Sequence, residues 1–297
     1  MNKFFGTGIA LVTPFNGDGS VDLRGLENLI EYLIDGRVEY LVSLGTTGET
    51  ATLSKEEKET VFKFTAEKVA GRVPLVAGIG GNNTFEVAKT IESFNAKGYD
   101  AILSVSPYYN KPTQGGIYQH YRTIALASPL PVILYNVPSR TGSCISAETT
   151  LRLAHDVKNI IATKEASADF NIFSEILRDK PEDFFIISGD DALTLPMIAL
   201  GAAGIISVAG NVAPKVLAKM TRLCLEGKFK EAKTLNLKLI NLINLCFTEG
   251  SPAGAKTALK VLGICGNTVR LPLVKGSLRL HQDLENELRE LELQVQV

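Results

Sequence analysis

Phe184-Phe185-Ile186-Ile187 is apolar without alternation, and so are Val132-Ile133-Leu134 and Ile205-Ile206. A strand with one wet face alternates apolar and polar residues. A strand that is apolar throughout is covered on both faces, as parallel strands roofed by helices are. Strand candidates begin near Gly8, Tyr40, Val73, Ala101, Pro131, Ile160, Phe184 and Gly204, with successive starts 20 to 33 residues apart. That spacing leaves room for one helix after each strand. Ser54-Lys55-Glu56-Glu57 has the capping-box pattern, in which a serine hydroxyl and a glutamate three residues on satisfy free N–H groups at a helix start. Asn83 and Glu86 have the same spacing. Eight βα units closing on themselves make an α/β fold, the TIM (β/α)8 barrel, expected here over residues 1–225. An open doubly wound sheet is the alternative; it lacks support because no G-x-G-x-x-G follows the first strand.

The bulk numbers narrow the function. The chain has 297 residues, 45% hydrophobic and 21% charged, within the range of globular proteins. Its 31 basic and 32 acidic residues give a formal net charge of -1, which argues against a nucleic-acid-binding surface. The segment from Phe4 to Phe15 is broken by Gly6, Gly8, Thr13 and Pro14 and does not read as a signal peptide. No apolar run is long enough to span a bilayer, so no membrane partner is expected. Cys144, Cys224, Cys246 and Cys265 are scattered with no metal-like pair, and the reading is reduced thiols in a cytoplasmic protein. After Leu225 the strand signal stops, and residues 226–297 read as a C-terminal helical extension. Phe229 to Thr248 reads as one helix with a narrow polar stripe of Thr234, Lys238, Asn241 and Thr248, which predicts that most of its surface is buried. Leu284, Leu288 and Leu291 sit at helical spacing in a final helix. These helices should pack on the barrel or on another subunit.

TIM-barrel sites lie at the C-terminal ends of the strands. The second strand is followed by Gly45-Thr46-Thr47-Gly48-Glu49 and the fourth by Ser106-Pro107-Tyr108-Tyr109-Asn110. The fifth ends in Tyr135-Asn136-Val137-Pro138-Ser139-Arg140, the sixth in Thr163-Lys164-Glu165 and the seventh in Ser188-Gly189-Asp190-Asp191. Lys164 stands out, because it closes an apolar strand. A buried, unpaired ammonium is costly, so such a lysine tends to the neutral amine, which attacks carbonyls to form a Schiff base. The plain alternative is a strand-end lysine whose head reaches water. Glu165 does not neutralise it, because adjacent strand side chains point to opposite faces. The N–H groups of Thr46 and Thr47 can turn toward a small anion such as a carboxylate, or the segment is an ordinary βα turn. Tyr135 is a candidate proton carrier beside Lys164, or a core tyrosine. Arg140 is a candidate carboxylate fork, or a solvated arginine. Asp190 and Asp191 suggest a metal pair, but no second carboxylate cluster on this rim supports one, and no metal is expected.

Taken together, these motifs resemble the dihydrodipicolinate synthase / N-acetylneuraminate lyase family, in order and spacing from Gly6 to about Leu225 and more loosely to the end. The resemblance implies a TIM barrel with a C-terminal helical extension, usually a homotetramer built from tight dimers. It also implies Schiff-base chemistry on pyruvate with no cofactor. Ser139-Arg140-Thr141-Gly142 and Tyr108-Tyr109-Asn110-Lys111-Pro112 look like the synthase branch, which joins pyruvate to aspartate semialdehyde in lysine and diaminopimelate biosynthesis. Carried over, Lys164 forms the imine, and Tyr135, Thr46 and Tyr109 form the proton relay, Tyr109 reaching into a neighbouring subunit. The Thr46 and Thr47 backbone holds the pyruvate carboxylate. Gly189 and Ile206 line the pyruvate pocket, and Arg140 binds the carboxylate of the aldehyde. The residues matching a lysine effector cleft are Thr50, Ala51, Lys55, Lys58, Asn82, Glu86 and Tyr108. Two other readings are another pyruvate aldolase of the same fold, such as a sialic-acid or keto-deoxy-sugar lyase, and a scaffold without activity. Arg140 separates the first, and the joint presence of Lys164, Tyr135, Thr46 and Tyr109 speaks against the second. One departure stands out: where the family shows Asn-Pro, a second proline and a lysine, this chain has Ser251-Pro252-Ala253-Gly254-Ala255-Lys256, which puts the local wall of the site in doubt.

Overall fold

The computed structural model describes residues 3–293, so the last four residues of the expected extension, and the first two of the barrel segment, lie outside the described residues. Eight strands form a closed, all-parallel barrel in chain order. They are β1 (Gly6–Ala10), β2 (Tyr40–Ser43), β3 (Leu75–Gly78), β4 (Ala101–Val105), β5 (Val132–Asn136), β6 (Ile160–Glu165), β7 (Phe185–Ser188) and β8 (Gly204–Ser207). Each expected start lies within two residues of the observed one. β1 closes the barrel by pairing with both β2 and β8.

The barrel's principal outer helices are α1 (Leu23–Asp35), α2 (Lys55–Val69), α3 (Thr84–Glu92), α4 (Gln114–Ala127), the single turn α5 (Pro138–Thr141), α6 (Ala147–Asp156), α7 (Phe170–Asp179), α8 (Thr194–Leu200) and α9 (Pro214–Leu225). Their starts carry the local chemistry read from the sequence. Ser54 forms the full capping box with Glu57 at the start of α2. At α3 the Asn83 side chain caps the Glu86 N–H at a long 3.5 Å, and no return bond from Glu86 is present among the described residues.

Strand alternation sorts the side chains into two apolar layers. Ala10, Tyr40, Val42, Val76, Leu103, Ile133, Tyr135, Ala162, Ile187 and Ile206 fill the barrel interior. Ile9, Leu41, Leu75, Ile102, Val132, Leu134 and Ile186 face the helices. Residues apolar on both parities are what the continuous runs required.

Beyond Leu225 lie α10 (Phe229–Thr248), α11 (Ala253–Val261) and α12 (Leu278–Glu290). Leu239, Leu242, Ala255, Leu259, Leu284 and Leu288 join the same outer core as the barrel helices, so the extension has no separate core. Within one chain the burial expected of α10 is partial. α10 buries only Ala232, Leu239, Leu242, Ile243 and Cys246, while Leu237 is 60% exposed and Phe229 and Phe247 are exposed too. Within one chain the helix has packing partners on one face only, which leaves the other face for the subunit contact also expected of it. Among the described residues, no helix is long and apolar enough to cross a membrane, and all four cysteines are free thiols.

Candidate active site

Lys164 occupies the penultimate position of β6, on the interior parity set by Ala162. Its side chain is carried in by an apolar strand, and the residue is only 5% exposed. Tyr135 on β5 is its direct register partner, and Lys164 Nζ sits 4.2 Å from the Tyr135 ring centroid. Among the described residues, Lys164 Nζ has no hydrogen bond and no carboxylate within ion-pairing distance. Glu165 faces the other way. Its oxygens accept from Asn136 Nδ2 at 3.2 and 3.0 Å, and Oε1 accepts from the Ser167 N–H at 2.7 Å. Burial raises the Glu165 carboxyl above its ordinary range, and the Ser167 and Asn136 bonds oppose the shift. The neighbouring acid therefore organises the β5–β6 rim and leaves the lysine unpaired.

Gly189, just past β7, makes room for that lysine. A Cβ built there would lie 3.0 Å from Lys164 Cε and 2.7 Å from Ala166 Cβ. Ile206 is fully buried in the interior layer with Tyr135 and Ile187.

The Thr46–Gly48 turn follows β2. Thr47 is buried, Thr46 is exposed, and neither backbone N–H has a partner among the described residues. Two adjacent free N–H groups at a strand end can turn toward a small anion. The turn lies against the end of β3, where a Cβ on Gly78 would be 2.3 Å from Leu44 O and 2.6 Å from Gly45 N. Only glycine allows that approach. The Thr13 hydroxyl donates to Gly48 O at 2.7 Å from the opposite side.

Arg140 lies on the α5 turn and is exposed, and its guanidinium has no hydrogen bond or ion pair among the described residues. Tyr109 is 88% exposed and sits in the left-handed region at φ 76°, with its N–H directed to Thr141 O at 3.4 Å. Among the described residues it makes no hydrogen bond or ring contact with Lys164 or Tyr135. Of the residues matched to an effector cleft, Asn82 donates to Tyr108 O at 3.3 Å. Thr50 is partly buried, and Ala51, Lys55, Glu86 and Tyr108 are exposed. Lys55 faces Glu59 at 3.9 Å, and no hydrogen bond or ion pair joins Lys55 or Lys58 to Asn82 or Glu86 among the described residues.

The two aspartates after β7 do structural work. Asp191 accepts from Ser207 Oγ and from the N–H groups of Val208 and Ala209, tying β7 to the β8 loop. Burial raises its carboxyl above the ordinary range. Asp190 accepts from the Ala192 and Leu193 N–H groups.

One buried lysine behind the Thr46–Gly48 turn was not assigned a role from sequence. Lys256, on α11, is fully buried and pairs with the equally buried Glu49 at 2.5 Å. It also donates to Thr268 O at 2.8 Å and lies 4.1 Å from the Phe15 ring centroid. Burial pulls its ammonium below the usual lysine range, and Glu49 opposes the shift. The sequence signal was the lysine ending the atypical Ser251–Lys256 run, together with the single acid of Gly45–Glu49.

The chain matches the model of the dihydrodipicolinate synthetase family over residues 3–291. It is 53% identical over 288 residues to the 4-hydroxy-tetrahydrodipicolinate synthase of Flavobacterium psychrophilum, covering 97% of each chain. The crystal structure of dihydrodipicolinate synthase from Aquifex aeolicus superposes with a TM-score of 0.95 at 42% identity, over 99% of this chain and 100% of that one. The chloride-inhibited enzyme of Acinetobacter baumannii, solved in complex with pyruvate, matches with a TM-score of 0.94 at 40% identity over 98% of this chain and 99% of that one. With an eight-stranded barrel, an unpaired strand-end lysine and full-length likeness in agreement, the chain belongs to the dihydrodipicolinate synthetase family.

Proposed function

We propose that this chain is a 4-hydroxy-tetrahydrodipicolinate synthase, condensing pyruvate with L-aspartate 4-semialdehyde in lysine and diaminopimelate biosynthesis. The observation that carries the reading is Lys164, buried at the barrel rim, stacked on Tyr135 and, among the described residues, free of any carboxylate partner. The neutral amine attacks the pyruvate keto carbon and expels water, leaving an imine on Nζ. Loss of a methyl proton converts the imine to an enamine. The enamine carbon attacks the aldehyde, whose oxygen takes a proton and remains as the ring hydroxyl. The amino group of the second substrate then attacks the imine carbon, closes the ring and releases the Lys164 amine. Every proton moves within reach of one nitrogen, so linked hydroxyls suffice. Tyr135, Thr46 and Tyr109 are assigned that relay, with Tyr109 supplied by a neighbouring subunit. The free N–H groups of Thr46 and Thr47 take the pyruvate carboxylate, Ile206 and Gly189 shape its pocket, and Arg140 takes the carboxylate of the semialdehyde.

The assembly is proposed as a homotetramer of tight dimers. An outward Tyr109 and the exposed apolar residues of α10 support an oligomer, because each has too few partners within one chain. A cytoplasmic location is in keeping with four free thiols. The deciding experiment is incubation with pyruvate and borohydride followed by intact mass, for the parent and for Lys164→Ala, with product formation then measured on added aspartate semialdehyde. The parent should gain one reduced pyruvate adduct and form product. Trapping at another lysine in Lys164→Ala, or adduct formation without turnover of the semialdehyde, would refute the assignment.

A further inference from the structure

The Thr46–Gly48 turn is held from a distance by the C-terminal extension. Glu49 ends that turn in the left-handed conformation, φ 51°, which a non-glycine residue keeps only when its surroundings hold it there. Its N–H donates to Thr46 O at 3.1 Å, so the conformation of Glu49 and the orientation of the Thr46 peptide move together. Both carboxylate oxygens are engaged from the extension. Oε1 accepts from Lys256 Nζ, and Oε2 accepts from the Arg270 N–H at 2.9 Å. The Arg270 guanidinium continues the chain of contacts. It forms a fork on Glu57 at 2.5 and 2.7 Å, and it donates to Thr52 O and Gly19 O. The Phe15 ring lies under both cations, 4.1 Å from Lys256 Nζ and 4.5 Å from the Arg270 guanidinium carbon.

A dry ion pair of this kind is weak evidence for stability, because well-packed apolar replacements of a buried pair are often neutral or stabilising. What the pair supplies is geometry. We propose that Lys256 and Glu49 are positioning residues for pyruvate: their ion pair fixes the turn that aims the Thr46 and Thr47 N–H groups at the substrate carboxylate. The extension thereby completes the carboxylate seat without touching the substrate. This inference rests on the reading of Thr46 and Thr47 as that seat.

Two variants separate positioning from folding. Glu49→Gln combined with Lys256→Met leaves no charge at this pair and removes the lock. Glu49→Asp keeps both charges but shortens the link by one methylene, which pulls the turn. Thermal unfolding is measured beside the pyruvate concentration giving half-maximal borohydride trapping and the KM values of both substrates. In each variant that folds, half-saturation and KM for pyruvate should rise about tenfold or more, since a displacement on the order of 1 Å costs up to about a hundredfold. KM for the semialdehyde should stay within about threefold, because Arg140 lies on another loop. If either folded variant keeps the parental pyruvate half-saturation, the positioning role is lost while the Schiff-base reading stands. If the parent itself is not trapped by pyruvate, the underlying reading fails first and this one falls with it.

Discussion

Replacing Gly189 with alanine tests the lysine pocket most directly. The added methyl carbon would lie 2.7 Å from Ala166 Cβ, 3.0 Å from Lys164 Cε and 3.1 Å from Glu165 O. Carbon atoms in good contact sit about 3.5–4.0 Å apart, so the strand ends must separate by roughly 1 Å or the lysine stem must swing aside. Ala166 Cβ and Glu165 O are fixed to the backbone, so the strain falls on the end of β6, where Lys164 sits. Overpacking of this kind costs about 1–3 kcal/mol of stability, which the fold should survive with its melting temperature lowered by several degrees. Catalysis should suffer more. A displacement of about 1 Å at a reacting group costs on the order of a hundredfold, or about 2.7 kcal/mol of barrier. The assay is the rate of pyruvate adduct formation, read by quenching with borohydride at timed intervals and weighing the intact chain, beside kcat for the full reaction. A folded Gly189→Ala enzyme that is trapped within twofold of the parental rate would show that the gap beside Lys164 is not part of the catalytic geometry.

Arg140→Ala should raise KM for aspartate semialdehyde by the worth of a charged hydrogen bond, about 1.5–3 kcal/mol, while pyruvate trapping persists; steady-state kinetics that move for neither substrate would remove Arg140 from the site. Tyr109→Phe and Lys164→Ala, each inactive alone, should regain partial activity once mixed and allowed to exchange subunits, whereas proven exchange without recovery would assign Tyr109 to its own chain. Lysine should inhibit weakly: a bound ammonium near Lys55 and Lys58 meets like charge, and about 1.4 kcal/mol of repulsion already weakens binding tenfold. Lys55 is 80% exposed and faces Glu59, so screening reduces the effect, and half-inhibition well below millimolar in an activity titration would mean that it vanishes. His120 is buried, its Nδ1 lies 2.9 Å from Thr84 Oγ1, and burial pushes its pKa down to about 4. The unfolded chain, with histidine near 6.5, therefore binds more protons between those values. The stability this histidine contributes is complete above pH 6.5 and declines as pH falls toward 4, by roughly 3 kcal/mol at most. Urea unfolding at pH 7 and pH 4.5 should show a smaller loss in His120→Gln than in the parent, and an equal loss in both would exclude it as the source.

Some of this protein was legible residue by residue. Val132-Ile133-Leu134 and Phe184–Ile187 announced parallel strands because burial on both faces removes alternation, a property carried by a few consecutive side chains. The same local rule put Lys164 and Glu165 on opposite faces, and the sequential order of β5 and β6 put Tyr135 beside Lys164. Ser54 and Glu57 cap α2 as their spacing required. Other features depended on closure of the barrel. Lys256 meets Glu49 across 207 positions of chain, and Arg270 meets Glu57 across 213. No periodicity encodes such pairs, because they exist only once α11 and the segment after it fold back over the β1 and β2 loops. The close fit of Gly78 under Leu44 and of Gly189 beside Lys164 is equally invisible along the chain, since a glycine's neighbours are set by the strand next to it. The narrow polar stripe of α10 is a partial guide for a related reason. An apolar helix face states that something should cover it, but only the packing decides what, and within a single chain Leu237, Phe229 and Phe247 stay exposed. The sequence alone determined the eight strands, their order and the opposite facing of Lys164 and Glu165. The tertiary structure decided which distant charges share one buried site, because that depends on how the closed barrel and its extension exclude water together.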